Sequence, residues 1–163
     1  MRLTEQTRYA VRVLAACAHV HPEVVAVKKV AADTGLTEFT IFKLLKTATK
    51  AGLVSSVRGR NGGIRLAKDP DQLTLGQVVR AFESRFQECK PAREMLADDV
   101  ERGGVDQRLN GMIGQGFAAF LSTLDDMTIA DLLAAHAEKQ RQARDAVDAR
   151  ASQRTHSSDM MHS

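Results

Sequence analysis

Hydrophobic and polar positions alternate at helical intervals along the start of the chain, which predicts a series of short helices. The first runs from Thr4, its N-cap, to about His19. Its apolar stripe is centred on Tyr9, Val13, Ala16 and Val20 and is widened by Val11, Leu14 and Ala18. A second helix covers Val27 to Thr34 and stops at Gly35, where the chain can reverse.

A third helix follows almost at once. Thr37 caps it, and Gly52 ends it. Its buried stripe consists of Ile41, Leu44, Leu45 and Ala48. Two helices joined by a glycine-containing turn of about three residues form the helix-turn-helix pattern.

A β-hairpin is predicted next, because Leu53 to Val57 and Ile64 to Leu66 are short β-capable runs. Between them lies the sequence RGRNGG, residues 58–63. Asn61-Gly62 is a strong hairpin-turn signal, since both residue types tolerate positive φ, and the glycines allow a close backbone approach to another surface. A fourth helix, Thr74 to Phe82, would pack back under this module.

Periodicity weakens from residue 83 to 104, which predicts a loop with at most one helical turn. A long helix follows over 105–124, with a broad apolar face made of Leu109, Met112, Ile113, Phe117, Phe120, Leu121 and Leu124. Thr128 begins a last helix that becomes charged almost all round, and from Ser152 the composition is that of a frayed tail.

These elements predict a mainly α fold with a small β-hairpin, a winged helix-turn-helix domain plus a long dimerisation helix. We expect a DNA-binding domain at 1–82, an effector or cluster loop at 83–104, dimerisation and C-terminal helices at 105–150, and a disordered tail at 151–163. A chain of 163 residues with 44% hydrophobic content can form one domain with a helical appendage.

The net charge of +3 is unevenly distributed along the chain. Residues 1–80 hold 13 Lys or Arg against 6 Asp or Glu, whereas residues 81–163 hold 10 against 14. A net charge of +7 followed by −4 is typical of a polyanion-binding module joined to an appendage that does not bind the polyanion.

The third helix and the hairpin are the candidate DNA-contacting elements. The polar residues on the outer face of the helix are Glu38, Thr40, Lys43, Thr47 and Lys50, with Lys46 at its edge. Such a helix could also be an ordinary amphipathic helix with a solvated polar face. The hairpin that follows it favours the interpretation as a DNA-contacting helix. Its tip presents Arg58 and Arg60 beside Asn61, Gly62 and Gly63, so two guanidinium groups could reach phosphate.

Three stretches of the chain, in this order and spacing, resemble the IscR/NsrR/RirA regulators of the Rrf2 (Rrf-two) family. They read MRLTEQTRYAVRVL, AGLVSSVRGRNGGIRLAKDPDQLTLGQVVRAFE and FLSTLDDMTIADLL, and the resemblance covers roughly residues 1–135. It implies a homodimer, joined through the helix near 105–124, on double-stranded DNA with a palindromic operator. It also implies that Thr37 and Thr40 touch bases or phosphates, and that Tyr9 lies near the DNA backbone.

Many members of that family carry an iron-sulfur cluster on three cysteines in the loop after the fourth helix. Here only Cys89 matches, and Lys90 to Asn110 offers carboxylates but no cysteine or histidine, so three-cysteine ligation is excluded. Three interpretations of Cys89 remain: a cluster with atypical ligands, a thiol sensor, or a remnant in a regulator that senses something else or nothing. The other cysteine, Cys17, is predicted to be a small core residue.

The sequence therefore predicts a sequence-specific transcription regulator, a repressor that responds to iron, redox or nitric-oxide-type stress. The alternative is a winged-helix protein-interaction module that regulates a metabolic enzyme, which the acidic second half of the chain motivates. No catalytic triad, phosphate loop or zinc-type spacing supports an enzyme. The charged N-terminal stretch and the lack of a membrane-spanning segment lead us to expect a cytoplasmic protein without membrane contact.

Overall fold

The computed structural model of the protein describes residues 2–87 and 104–159. The elements in chain order are α1 (Glu5–Ala18), α2 (Val27–Thr34), α3 (Glu38–Lys50), β1 (Val54–Val57), β2 (Gly63–Leu66), α4 (Leu75–Phe82), α5 (Ser84–Gln87), α6 (Val105–Asp125) and α7 (Ile129–Asp159). This order confirms the predicted fold class, a mainly helical chain with one antiparallel hairpin. Among the described residues, no helix has both the length and the apolar character needed to span a bilayer.

Threonine hydroxyls cap three of the helices. The side-chain oxygens of Thr4, Thr37 and Thr74 accept hydrogen bonds from backbone N–H groups three residues further on, at 3.4, 3.1 and 3.2 Å. Each bond satisfies an N–H that the first turn of a helix leaves without an intrahelical partner. The caps at Thr4 and Thr37 confirm the helix starts predicted from the sequence.

The predicted inward face of α1 is wrong in part. Val13 and Leu14 are buried as expected, but the other buried side chains are Thr7, Ala10 and Cys17, while Tyr9, Ala16 and Val20 are half-buried. This helix packs against α2, α3, α4 and β2. Because several elements approach it closely, small side chains occupy the crowded face and the larger Tyr9 lies at its edge.

The hairpin is confirmed, but its turn differs from the prediction. Val54 pairs with Leu66 and Val57 with Gly63, and the N–H of Gly62 donates to the carbonyl oxygen of Gly59 over 3.0 Å. Positive φ occurs at Gly59, at 115°, and not at Asn61. The loop between the paired strands comprises the five residues 58–62, and the left-handed residue lies near its start instead of at Asn-Gly.

The α1–α2 connection is joined to the hairpin by backbone hydrogen bonds. Val25 donates to Ile64 and accepts from it, both over 2.9 Å. A Cβ atom at Gly63 would collide with the carbonyl of Val25. Gly63 therefore permits a close approach between two parts of the same chain.

The C-terminal half of α6 packs against α4 and α5. Leu121 is buried with Val79 and Phe86, and the Phe86 ring lies 5.3 Å from Phe117 and 5.7 Å from Phe120, centroid to centroid. The end of the helix is held by Arg80 of α4, whose guanidinium forms two hydrogen bonds of 2.5 and 2.6 Å with the carboxylate of Asp125. These contacts place α6 in the same core as the winged helix-turn-helix module.

Residues 1–130 form one compact unit, and residues 131–163 form a second. The described part of the second unit belongs to α7, which continues to Asp159 and does not end near residue 151 as predicted from the sequence. The helix contains neither glycine nor proline and is rich in alanine, so no residue in it breaks the helical backbone. The division into functional segments at residues 82, 104 and 150 stays a prediction.

Candidate nucleic-acid interface

The outer face of α3 presents a line of cations. Lys43, Lys46 and Lys50 are exposed, and their spacing of three and four residues places them on one side of the helix. The opposite side buries Ile41, Leu44, Leu45 and Ala48, the four residues predicted from the sequence. Packing against the core thus leaves the lysines pointing outward.

The threonines of α3 are less exposed to solvent than predicted. Thr40 and Thr47 are half-buried, and the hydroxyl of Thr40 is 2.8 Å from that of Thr37, the exposed N-cap. Glu38, in the first turn, is exposed and near the free N–H groups of the helix, where a carboxylate is favourable. Thr37 and Glu38 therefore mark the open N-terminal end of the helix.

Two phenylalanines on the outer face were not predicted as site residues from the sequence. Phe39 is 67% exposed and Phe42 is 57% exposed. The ammonium nitrogen of Lys43 lies 4.4 Å from the centroid of the Phe39 ring, a cation–π contact between successive turns. Both rings could have been found from the pattern, because the buried stripe of α3 leaves positions 39 and 42 outside it.

The tip of the hairpin, called the wing below, comprises residues 58–62. Arg58, Arg60 and Asn61 are exposed, and within residues 2–87 and 104–159 neither guanidinium has a carboxylate partner. Gly62 is half-buried, and a Cβ there would collide with the carbonyl of Val57. The wing's own packing thus requires Gly62, while its arginines stay free to bind an external anion.

The helix and the wing border a common groove of about 830 Å³. Phe42, Lys46 and Lys50 line it from α3, and Val57 and Gly59 line it from the hairpin. The structure therefore brings the two predicted DNA-contacting elements side by side, with an open cationic surface between them. A polyanion with a regular backbone could contact both at once.

Tyr9 lies at the edge of α1 and is half-buried. The guanidinium carbon of Arg12 is 5.8 Å from the centroid of its ring, and the Arg12 side chain donates a hydrogen bond to the carbonyl of Thr34. These contacts connect α1 with the end of α2. The proposed contact of Tyr9 with a DNA backbone stays a prediction.

One of the two cysteines of the chain, Cys17, lies within the described residues. Cys17 is fully buried in α1, and this burial raises the pKa of its thiol to about 12, so it stays protonated and is a poor metal ligand. Cys89 lies outside the described residues. Within the described residues, no group of three or more His, Cys, Asp or Glu side chains could hold a metal ion.

Residues 3–135 match the model of one protein family, Rrf2, described as iron-dependent transcriptional regulators. The chain belongs to the Rrf2 family. It is 40% identical to the protein aau3 of Rhizobium meliloti over 83% of its length and 86% of that protein. It is 37% identical to the transcriptional regulator NsrR of Geobacillus kaustophilus, over 82% of this chain and 90% of that one.

Solved structures show the same architecture. The structure of IscR from T. potens superposes with a TM-score of 0.63 at 26% identity, covering 86% of this chain and 91% of that chain. The relatives of this chain are transcription regulators rather than enzymes. This Rrf2 protein is accordingly a DNA-binding transcription regulator with a winged helix-turn-helix fold.

Proposed function

We propose that this Rrf2 protein is a homodimeric repressor that binds a palindromic operator with α3 and the wing of each protomer. The observation that carries the proposal is the shared groove, which has lysines on one side and the arginine-bearing wing on the other. An α-helix fits the major groove of B-DNA, and a neighbouring loop can then follow the phosphate backbone. Bound across a promoter, such a dimer would block access to it.

The dimer is proposed to form through α6. Val105, Leu109, Met112 and Ile113 are exposed on its N-terminal half, and Met112 is 70% exposed. A Cβ atom at Gly111 or Gly116 would meet no atom within 4 Å among the described residues of the protomer. Glycines cost a helix about 1 kcal/mol each relative to alanine, so a second helix approaching closely there would explain them.

A signal from the segment 83–104 could reach the DNA-binding module through Glu83. This carboxylate is 1% exposed, and it accepts hydrogen bonds from the N–H of Thr4 over 2.7 Å and from the hydroxyl of Thr7 over 2.6 Å. Because Glu83 follows α4 directly and α1 packs against α3, a displacement of the segment would shift α1 and hence α3. We propose that the signal is iron, redox or nitric-oxide-type stress.

The test of operator binding compares two double variants with the same loss of charge. Wild-type protein is first used to select a preferred sequence from random duplexes. Arg58→Ala/Arg60→Ala should then weaken binding to that operator by at least about tenfold and reduce the slope of log affinity against log salt by about 2. Lys139→Ala/Arg144→Ala, on the exposed surface of α7, should bind as the wild type does.

Two outcomes would contradict the proposal. If no sequence is preferred over random duplex, operator binding is wrong. If the wing variant binds the operator as tightly as the α7 control while both proteins are folded, the groove is not the DNA site. The alternative, a module that regulates a metabolic enzyme through protein contacts, would then account for the surface better.

The proposed signal is tested by purification without oxygen. A cluster anchored by Cys89 would need carboxylate or histidine ligands, or the second Cys89 of a dimer, and would give iron content and visible absorption. Cys89→Ala should abolish both, and Cys17→Ala, which removes a buried thiol, should retain them. Colourless, iron-free wild-type protein would rule out a cluster. Operator binding that is unchanged by oxidants would then rule out a thiol sensor as well.

A further inference from the structure

Phe39 and Phe42 are large apolar side chains on a surface whose charged residues are mainly lysines. They are 67% and 57% exposed, on the first and second turns of α3. Exposed aromatic area is unfavourable in water, and this pair lies on the face that the proposed function assigns to DNA. Two such rings there suggest that the bound duplex covers them.

The position of each ring in α3 fits contact with base edges. Phe39 and Phe42 are the second and fifth residues of the helix, and the N-terminal part of a recognition helix is the part that meets bases in the major groove. Phe39 shares its side of the helix with Lys43, Lys46 and Lys50, which lie further along and can reach phosphates. Phe42 lines the groove toward the wing.

The chemistry of the rings selects one feature of the major groove. A phenyl ring neither donates nor accepts conventional hydrogen bonds, so it cannot read N7, O6 or an amino group. The apolar group on the base edges there is the C5-methyl of thymine. We propose that Phe39 and Phe42 contact thymine methyl groups in each half-site and so determine part of the operator sequence. This inference rests on the proposed operator binding.

Lys43 supports the assignment to DNA rather than to a protein surface. Its ammonium lies over the Phe39 ring at 4.4 Å, so the ring is held next to a positive charge. Around the two rings α3 carries three exposed lysines and one exposed carboxylate, Glu38. An anionic partner with embedded methyl groups matches this mixture, and a duplex rich in A·T pairs has both features.

The experiment removes methyl groups from the DNA. In the operator selected by the wild-type protein, each thymine of a half-site is replaced in turn by uracil, which deletes only the C5-methyl. At one or more positions the affinity of the wild type should fall about fourfold per methyl group lost. Phe39→Ala and Phe42→Ala should each bind the thymine operator more weakly and lose the thymine preference at the position that the ring contacts.

Met127→Ala, which removes an exposed apolar side chain outside the groove, is the matched control and should keep the full thymine preference. The uracil scan needs only the wild-type protein, so it remains decisive even if a phenylalanine variant fails to fold. A selected operator that is bound equally well with uracil at every thymine position would overturn the inference and leave operator binding intact. Failure to select any operator would instead contradict the proposed function itself.

Discussion

The two halves of α6 carry similar apolar residues but have different surroundings. In the C-terminal half, Leu121 is 5% exposed and packs with Val79 and Phe86. In the N-terminal half, Met112 is 70% exposed, and Leu109 lies exposed one turn before it. One helix thus has an apolar face that the described residues of its own chain cover at one end and leave open at the other.

This difference shows what amphipathicity determines and what it leaves undetermined. The periodic apolar positions specify that a helix has a face to bury, because apolar area is driven out of water wherever it lies. They do not specify whether the covering surface belongs to the same chain or to another. In α6 the C-terminal half stabilises the protomer, and the N-terminal half is proposed to stabilise the dimer.

The largest effect is expected at the covered half. Leu121→Ala removes buried methyl groups from the cluster with Val79 and Phe86, and should lower the free energy of unfolding by about 2–4 kcal/mol. Urea denaturation followed by circular dichroism measures this change. Leu109→Ala is the matched control, since the same atoms are removed from an exposed position, and it should change the unfolding of the protomer by less than about 1 kcal/mol.

If Leu121→Ala and Leu109→Ala destabilise the protein equally, and if the effect does not depend on protein concentration, the two halves of α6 do not differ as described. The stability of a dimer rises with concentration and that of a protomer does not. Unfolding at several concentrations therefore separates a loss of intrachain packing at Leu121 from a loss of dimer contacts at Leu109. A concentration-independent effect at both sites would mean that α6 has one environment and not two.

The second prediction concerns the open half of α6. Met112→Asp places a charge where the proposed partner helix packs, and it should raise the dimer dissociation constant by at least about thirtyfold, equivalent to about 2 kcal/mol. Sedimentation velocity across a range of concentrations measures this shift, and Thr123→Asp, exposed in the other half of α6, is the control. A Met112→Asp protein that dimerises like the wild type would place the dimer interface elsewhere.

The same contrast explains which parts of the fold could be predicted from the sequence. The buried stripe of α3 was predicted completely, because that helix has one wide apolar face and a charged opposite face. The prediction of the buried face of α1 was partly wrong, since other elements surround this helix. The face buries alanine and cysteine, whose small side chains give only a weak hydrophobic signal in the sequence. Crowding by distant elements cannot be read from local periodicity.

The charged residues of the candidate site were predicted from the sequence, and its two exposed aromatic residues were not. The outward direction of the lysines of α3 and the exposure of Arg58 and Arg60 follow from the pattern of helix and hairpin. Phe39 and Phe42 were missed because apolar residues are expected to be buried, although both lie outside the stripe that α3 buries. The turn of the wing depends on loop length, which the Asn-Gly signal did not determine.

The smallest change in stability is expected at the ion pair that connects the C-terminal half of α6 with α4. Arg80 and Asp125 are 42% and 39% exposed, so solvent screens the pair, and Asp125→Asn should lower the free energy of unfolding at pH 7 by only about 0.5 kcal/mol. The hydrogen bonds from Arg80 hold the pKa of Asp125 below its ordinary value of 3.8. The stabilisation is therefore complete above the pKa of the unfolded chain.

The pH dependence gives this prediction its sign. As the pH falls below 4 and through the lowered pKa of Asp125, the carboxylate is protonated in the folded protein as well, and the difference between the wild type and Asp125→Asn should disappear. The control is Asp126→Asn, which removes the neighbouring exposed charge; at the C-terminal end of a helix this should not destabilise the protein. If Asp125→Asn and Asp126→Asn unfold alike at pH 7, the ion pair contributes nothing measurable, and apolar packing around Leu121 alone holds this half of α6 in place.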